Sequence, residues 1–211
     1  MTKANAEQES LEWARARCGA FTASRASDLM ARTKSGPSAS RGALLALLAV
    51  ERITGTPVET YRNAAMERGT ELEADGRDAY SFARGVAVAE CGYIAHPMMA
   101  HCGASPDGLI GDDGLLEIKC PANMAKHLDA LRSGDHAKEY RWQLQHQLMV
   151  TNRRWVDAVS FDPRYPEHLQ LAVVRVERDQ AAIEELINAI EAAQAEVDAI
   201  VTELTNMKEA A

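Results

Sequence analysis

Its 211 residues, 26% charged and 46% apolar, suffice for one well-buried globular domain and not for two large ones. The longest apolar run, Ala43 to Val50, falls far short of the roughly 20 residues of a membrane helix, and the polar opening stretch predicts no secretory signal. A formal net charge of −8 excludes a uniformly basic nucleic-acid binder, although a locally basic surface would serve as well.

Residues 8–17 predict a short helix ending near Gly19, and Thr22-Ala23-Ser24 offers caps for a second helix running to about Ala31. Thr33 to Ser40 is a loop by composition and the segment expected to be most mobile. Helices follow at 41–53 and 63–83, strands at 86–94 and 98–103, then a hairpin over 107–119. Helices at 123–132 and 138–151 precede strands at 154–161 and 169–176. The stretch 179–207 reads as one long helix, with Ile183, Leu186, Ile187, Ile190, Val197, Ile200, Val201 and Leu204 on one side. No internal repeat appears, and the order predicts an α+β fold: a mixed central sheet flanked by helices.

Cys18, Cys91, Cys102 and Cys120 show no C-x-x-C spacing and read as reduced cytosolic thiols rather than disulfides or zinc ligands. No cysteine follows Cys120, so a C-terminal iron–sulfur site is excluded. Charge is unevenly spread. Residues 177–211 hold nine acids against Arg178 and Lys208, a balance of −7, whereas residues 13–54 hold seven basic residues against Asp28 and Glu51, a balance of +5. A basic stretch of this kind suits phosphate binding.

The sharpest motif is Ala104-Ser105-Pro106-Asp107-Gly108, with nine residues separating Asp107 from Glu117-Ile118-Lys119. Proline and glycine mark a bend at Asp107. Strand alternation then puts Leu115, Glu117 and Lys119 on one face and Leu116, Ile118 and Cys120 on the other. The second face is apolar, so the first is expected to be the wet one. Neighbouring carboxylates repel each other unless a cation neutralises them. Asp107 and Glu117 therefore read as Mg²⁺ ligands, with Lys119 aimed at the attacking water. The plainer alternative is a solvated strand face carrying a cross-strand ion pair.

Ser105-Pro106-Asp107-Gly108, Leu116-Glu117-Ile118-Lys119-Cys120-Pro121 and Gln143-Leu144-Gln145, preceded by Arg17-Cys18-Gly19-Ala20-Phe21-Thr22-Ala23-Ser24 and Arg68-Gly69-Thr70-Glu71-Leu72-Glu73, resemble the lambda-exonuclease or YqaJ branch of the PD-(D/E)xK nucleases. The likeness runs from about residue 12 to about residue 177, and five motifs in order are specific where one would be weak. It implies one nuclease domain with a restriction-endonuclease-like core at about 12–177 and an acidic C-terminal helix at about 179–207. The implied activity is a Mg²⁺-dependent 5′→3′ double-stranded DNA exonuclease. It would release 5′-mononucleotides and leave 3′ single-stranded overhangs for phage-type recombination. Two Mg²⁺ ions, or Mn²⁺ in their place, would sit on Asp107, Glu117 and the Ile118 carbonyl. Lys119 would act as base or as electrostatic stabiliser. Glu73 would complete the shell, with Glu71 as fallback and an ion pair to Arg77 as the plain alternative.

The resemblance also implies that Arg17, Ser24, Ser105 and Gln143 grip a 5′-terminal phosphate, and that Tyr140 orients the lysine or the metal waters. Ser24 as a helix cap and Arg17 as a dipole partner are the plainer readings. His146 reads as packed or solvated rather than as a general base, and Trp13, Trp142 and Trp155 as core or interface residues. The implied partners are DNA ends, two further copies in a trimeric ring and a single-strand annealing recombinase. No membrane is involved, and the setting is the cytoplasm of a bacterial host, with the gene borne by a phage or prophage. An endonuclease of the same superfamily and a catalytically silent DNA-binding domain are the competing functions.

Overall fold

The computed structural model describes residues 10–34, 36–58 and 64–207. The predicted start of the first helix at 8–9, loop position 35, helix position 63 and the tail charges at 208 and 209 lie outside them.

In chain order the elements begin with α1 (Leu11–Ala16), β1 (Phe21–Thr22), α2 (Ala26–Met30), β2 (Arg32–Thr33), β3 (Gly36–Pro37), α3 (Ala39–Thr54) and α4 (Ala64–Arg84). The middle of the chain supplies β4 (Val88–Ala89), β5 (Ile94–Ala95), β6 (Cys102–Ala104), β7 (Gly108–Ile110) and β8 (Gly114–Lys119). The remainder is α5 (Met124–Ser133), α6 (His136–Glu139), α7 (Arg141–Thr151), β9 (Trp155–Phe161), β10 (Leu171–Glu177) and α8 (Gln180–Asn206). Predicted helix boundaries fall within two or three residues of these, with two exceptions. The region after Gly19 is not one capped helix: Phe21–Thr22 is a strand beside Cys102 and Gly103, and Ala23–Arg25 is a 3₁₀ turn before α2. The 138–151 helix is split at Tyr140, whose φ of −104° and ψ of 15° interrupt the helical run between α6 and α7.

The central sheet runs β10-β9-β8-β7-β4. β8 and β9 are parallel, with Glu117 opposite Ala158 and Lys119 opposite Ser160, and the other pairs are antiparallel. The strands expected at 86–94 and 98–103 are shorter than that: Val88–Ala89 joins the central sheet, while Ile94–Ala95 and Cys102–Ala104 form with Phe21–Thr22 a small second sheet, β1-β6-β5, that was not foreseen. Its two- and three-residue strands are too short to carry a readable period.

Both faces of β8 are covered. Leu115 packs with Leu144, Leu148, Val156 and Ala158 in the core shared with α2, α3, α7 and α8. Leu116 and Ile118 pack with Tyr80, Val159 and Phe161 beneath α4. The expectation of a wet face is therefore corrected: α7 lies over Glu117, which is 3% exposed. A central strand under helices on both sides cannot keep one face in water. Gly76 lets α4 approach the sheet, since a Cβ there would lie 3.1 Å from both Ile118 and Phe161 side-chain atoms.

The basic 13–54 stretch also departs from expectation. Arg41 holds Glu196 with two bonds of 3.1 and 2.7 Å. Arg52 reaches Asp198 at 3.0 Å and Gln194 at 3.0 Å while its Nε caps the Gly19 carbonyl at 2.9 Å. Two of the cations in the basic 13–54 stretch thus serve as counter-charges that dock α8 on α3, leaving Arg15, Arg17, Arg25, Arg32 and Lys34 there.

Candidate active site

Asp107 stands one residue before β7, where its N–H bonds the Leu116 carbonyl at 3.1 Å and continues the hairpin ladder. Its side chain turns onto the neighbouring strand, and Oδ2 accepts from the Ile118 N–H at 2.6 Å. The N–H and C=O of a strand residue point to the same edge, so the Ile118 carbonyl is directed to the side occupied by Asp107.

Glu117 projects from β8 toward α7 and is bound at both oxygens. Oε1 accepts from Lys119 Nζ at 2.6 Å and from Gln143 Nε2 at 2.5 Å. Oε2 accepts from Gln147 Nε2 at 2.5 Å. The two glutamines lie one helical turn apart on α7, so one face of that helix presents two amides to one carboxylate. Lys119 Nζ also lies 4.7 Å from the centre of the Tyr140 ring, at the break between α6 and α7. That contact fits the predicted orienting role of Tyr140.

Charge is concentrated here under little solvent. Burial, then the charges of Glu117 and Glu73, push the Asp107 carboxyl well above the ordinary aspartate range, against the pull of Lys119 and the Ile118 N–H. Burial would depress the Lys119 ammonium, but Glu117 and Asp107 more than offset it and hold it above its ordinary value. Glu73 comes near through Arg77, which lies 3.3 Å from Glu73, bonds the Asp107 carbonyl at 2.7 Å and pairs with Glu90 at 3.1 Å. The helix ion pair weighed against a catalytic role for Glu73 is present, and it sits against the motif aspartate. Glu71 is exposed.

The 5′-end candidates converge on the same place. A cavity of about 160 Å³ is lined by Trp13, Arg17, Ser24, Ser105, Gln143 and Gln147, together with Thr22, Ala23 and the carboxylate residues Asp107 and Glu117. Arg17 stacks 4.0 Å over the Trp13 ring. Its Nη2 lies 3.4 Å from the Thr22 hydroxyl and 3.3 Å from that of Ser24. Trp13 Nε1 donates to Ser105 Oγ at 2.9 Å. The hydroxyls of Thr22 and Ser24 face Arg17 rather than capping a helix.

Sequence reasoning missed three wall residues. Trp13 was read as a core or interface residue, yet it stands four residues before Arg17, the C-cap of α1, a usable signal. Thr22 lay inside an expected cap. Gln147, one turn from Gln143 on α7, is not singled out by the motif reading. His146, by contrast, is fully buried, contacts Cys102 Sγ at 3.6 Å and is pulled down to about 4 by burial. It is packed, as expected.

The donor chemistry fits a hard divalent cation: two buried carboxylates on one cavity wall, each disfavouring the charge of the other, with a strand carbonyl directed alongside. Among the described residues no three His, Cys, Asp or Glu side chains gather closely enough to hold an ion by themselves. Water and substrate oxygens would therefore make up the shell, as Mg²⁺ prefers.

Comparison with known proteins identifies the family. Residues 12–154 match the family model described as a YqaJ-like viral recombinase domain. The crystal structure of an alkaline exonuclease, LHK-Exo, from Laribacter hongkongensis is 44% identical, with a TM-score of 0.86 over 95% of this chain and 98% of that one. LHK-Exo in complex with dAMP matches equally, at 44% identity and a TM-score of 0.86. A phage related exonuclease from Haemophilus somnus 129PT shares the fold at 16% identity, with a TM-score of 0.69 over 88% of this chain and 96% of that one. No curated protein matches the chain. The fold is the restriction-endonuclease-like α+β core of these nucleases. On these matches, which follow the lambda-exonuclease line of resemblance, the chain belongs to the YqaJ-like viral recombinase family.

Proposed function

We propose that this protein is a deoxyribonuclease of the phage alkaline-exonuclease type, digesting double-stranded DNA from its 5′ ends. It releases 5′-mononucleotides and leaves 3′ overhangs for a single-strand annealing recombinase, in the cytoplasm of a bacterium carrying the phage or prophage. One observation carries the reading. The cavity that holds Arg17, Ser24, Ser105 and Gln143 also holds Asp107 and Glu117. An enzyme cutting within a strand needs the carboxylates but has no use for a terminal-phosphate grip beside them. An enzyme cutting one nucleotide from an end needs both. The 44% identical LHK-Exo crystallised with dAMP, a deoxynucleoside monophosphate, supports a product of that class.

Asp107 and Glu117, with the Ile118 carbonyl, would hold Mg²⁺, with two ions as the fuller arrangement and Mn²⁺ as a substitute. A cation so held would polarise the scissile phosphate and make the attacking water more acidic. Arg17 supplies a guanidinium fork for the terminal phosphate, and Ser24, Ser105 and the Gln143 amide supply neutral donors. Lys119, charged and bonded to Glu117, is placed to stabilise negative charge growing on the scissile phosphate. Glu73 orients through Arg77 on the far side of Asp107.

Assembly into a trimeric ring belongs to the same reading. With Arg41 and Arg52 committed to α8, one chain can neutralise few phosphates at physiological salt, whereas three around a duplex multiply the contacts. The test is digestion of an end-labelled linear duplex with Mg²⁺. Label should leave as a 5′-mononucleotide, and a covalently closed circle of the same sequence should survive. Cutting of the circle would overturn the exonuclease reading and favour an endonuclease.

A further inference from the structure

We propose that Gln147 is a positioning residue for the cation, acting at once on a carboxylate that binds the ion and on the water around it; this rests on the cation-dependent reading above. Gln147 is fully buried on α7. Its Nε2 bonds Glu117 Oε2 at 2.5 Å, while its Oε1 is buried with no partner among the described residues. The orientation of the amide follows from chemistry, since the reverse assignment would press two oxygens together.

A glutamine that served only to satisfy Glu117 would be expected to find its carbonyl a partner too, because stranded acceptors are rare in folded interiors. This one belongs to a side chain in the wall of the 160 Å³ cavity that also holds Asp107 and Glu117. That space admits about five waters at roughly 30 Å³ each. Waters around a divalent cation are polarised and donate strongly, so the unpartnered oxygen is a ready acceptor for one of them. Gln143 cannot take this part, because its amide lies on the opposite oxygen of Glu117, beside Lys119. Residues that both orient a ligand and meet the hydration shell change metal affinity when replaced.

The experiment is Mn²⁺ titration by calorimetry on the DNA-free protein, wild type against Gln147→Met, which keeps length and helix propensity. The Met variant should bind Mn²⁺ about 10- to 100-fold more weakly. Affinity within twofold of wild type would overturn the proposal. Should the Met variant fail to fold, Gln147→Asn decides: one carbon shorter, its amide falls short of Glu117, so Mn²⁺ should again bind about 10-fold or more weakly, and affinity within twofold of wild type would overturn the proposal. Wild-type protein that binds no Mn²⁺ would sink the cation reading and this proposal together. Wild-type binding with an unaffected Met variant would sink only the role of Gln147.

Discussion

Replacing Arg17 by alanine should remove the ability of the enzyme to tell a phosphorylated 5′ end from a bare one. The contacts of the guanidinium with the Thr22 and Ser24 hydroxyls are long, 3.4 and 3.3 Å, so little is lost when a phosphate displaces those two hydroxyls. The gain is a charge-assisted set, in which each hydrogen bond to an ionised group contributes about 1.5–3 kcal/mol. After loss of competing water contacts the whole set should contribute on the order of 2–4 kcal/mol, about 30- to 1000-fold in rate. Wild type should thus degrade a 5′-phosphorylated duplex faster by that factor, and Arg17→Ala should be slow and nearly indifferent to the end. Trp13 sits 4.0 Å under the guanidinium, so Trp13→Leu should lower the preference less, by about two- to fivefold, the worth of one exposed cation–π contact. Single-turnover digestion of matched duplexes gives the ratios. Equal wild-type rates on both ends would refute the phosphate pocket. An Arg17→Ala variant that keeps its preference would refute the role of this arginine.

Asp107→Ala, Glu117→Ala and Lys119→Ala should each abolish cleavage, and near-wild-type turnover of Glu117→Ala at saturating Mg²⁺ would defeat the site assignment. Their stabilities should differ: Glu117→Ala strands the donors of Lys119, Gln143 and Gln147, at about 1–3 kcal/mol per buried group, whereas Asp107→Ala strands one donor, the Ile118 N–H, while relieving repulsion, so without cation it should lose less. Asp107 has its folded pKa raised, so its stabilising contribution is full below its unfolded pKa and is lost as pH rises through the folded value. Asp107→Asn should flatten the pH dependence of cation-free stability in that window, above the ordinary aspartate range, as urea denaturation at a series of pH values will show; an unchanged slope counts against the raised pKa. Light scattering should give three times the 23.0 kDa chain mass, about 69 kDa, for the proposed ring, and a strict monomer that digests long DNA processively would end that part of the reading.

The sequence disclosed most where local chemistry dominates. Alternation along residues 114–119 placed Glu117 and Lys119 on one face, and the bend at Pro106 set Asp107 beside them. The four-residue periods of α3, α7 and α8 were readable as helices. What it could not disclose depends on distant partners. Whether the Glu117 face is wet turns on α7 crossing it, a contact between positions 26 and 30 residues apart. The fate of Arg41 and Arg52 turns on acids 155 and 146 residues away, so a charge map drawn along the chain overstated the basic surface. The strand at Phe21–Thr22 exists because Cys102 and Gly103 lie beside it, and two residues contain no period to detect.

Glu117 is the node on which these observations meet. Without a cation, an ammonium and two amides stand in as its counter-charge, which accounts for a carboxylate tolerated at 3% exposure in terms of paired rather than isolated charge. On the proposed reading that arrangement cannot persist unchanged during turnover. When Glu117 shares its negative charge with an ion, its attraction for Lys119 weakens, and the ammonium requires another anion in a site with little water. The incoming phosphate is that anion. Lys119 would therefore exchange a carboxylate oxygen for a phosphate oxygen while Tyr140, 4.7 Å away, keeps the chain of the lysine in place. Gln143 joins the two halves of the site by the same logic, since its amide touches Glu117 and it lines the cavity of Arg17. On that reading, filling of the terminal-phosphate pocket and rearrangement around Glu117 would be coupled through one side chain, and hydrolysis would depend on a correctly seated end.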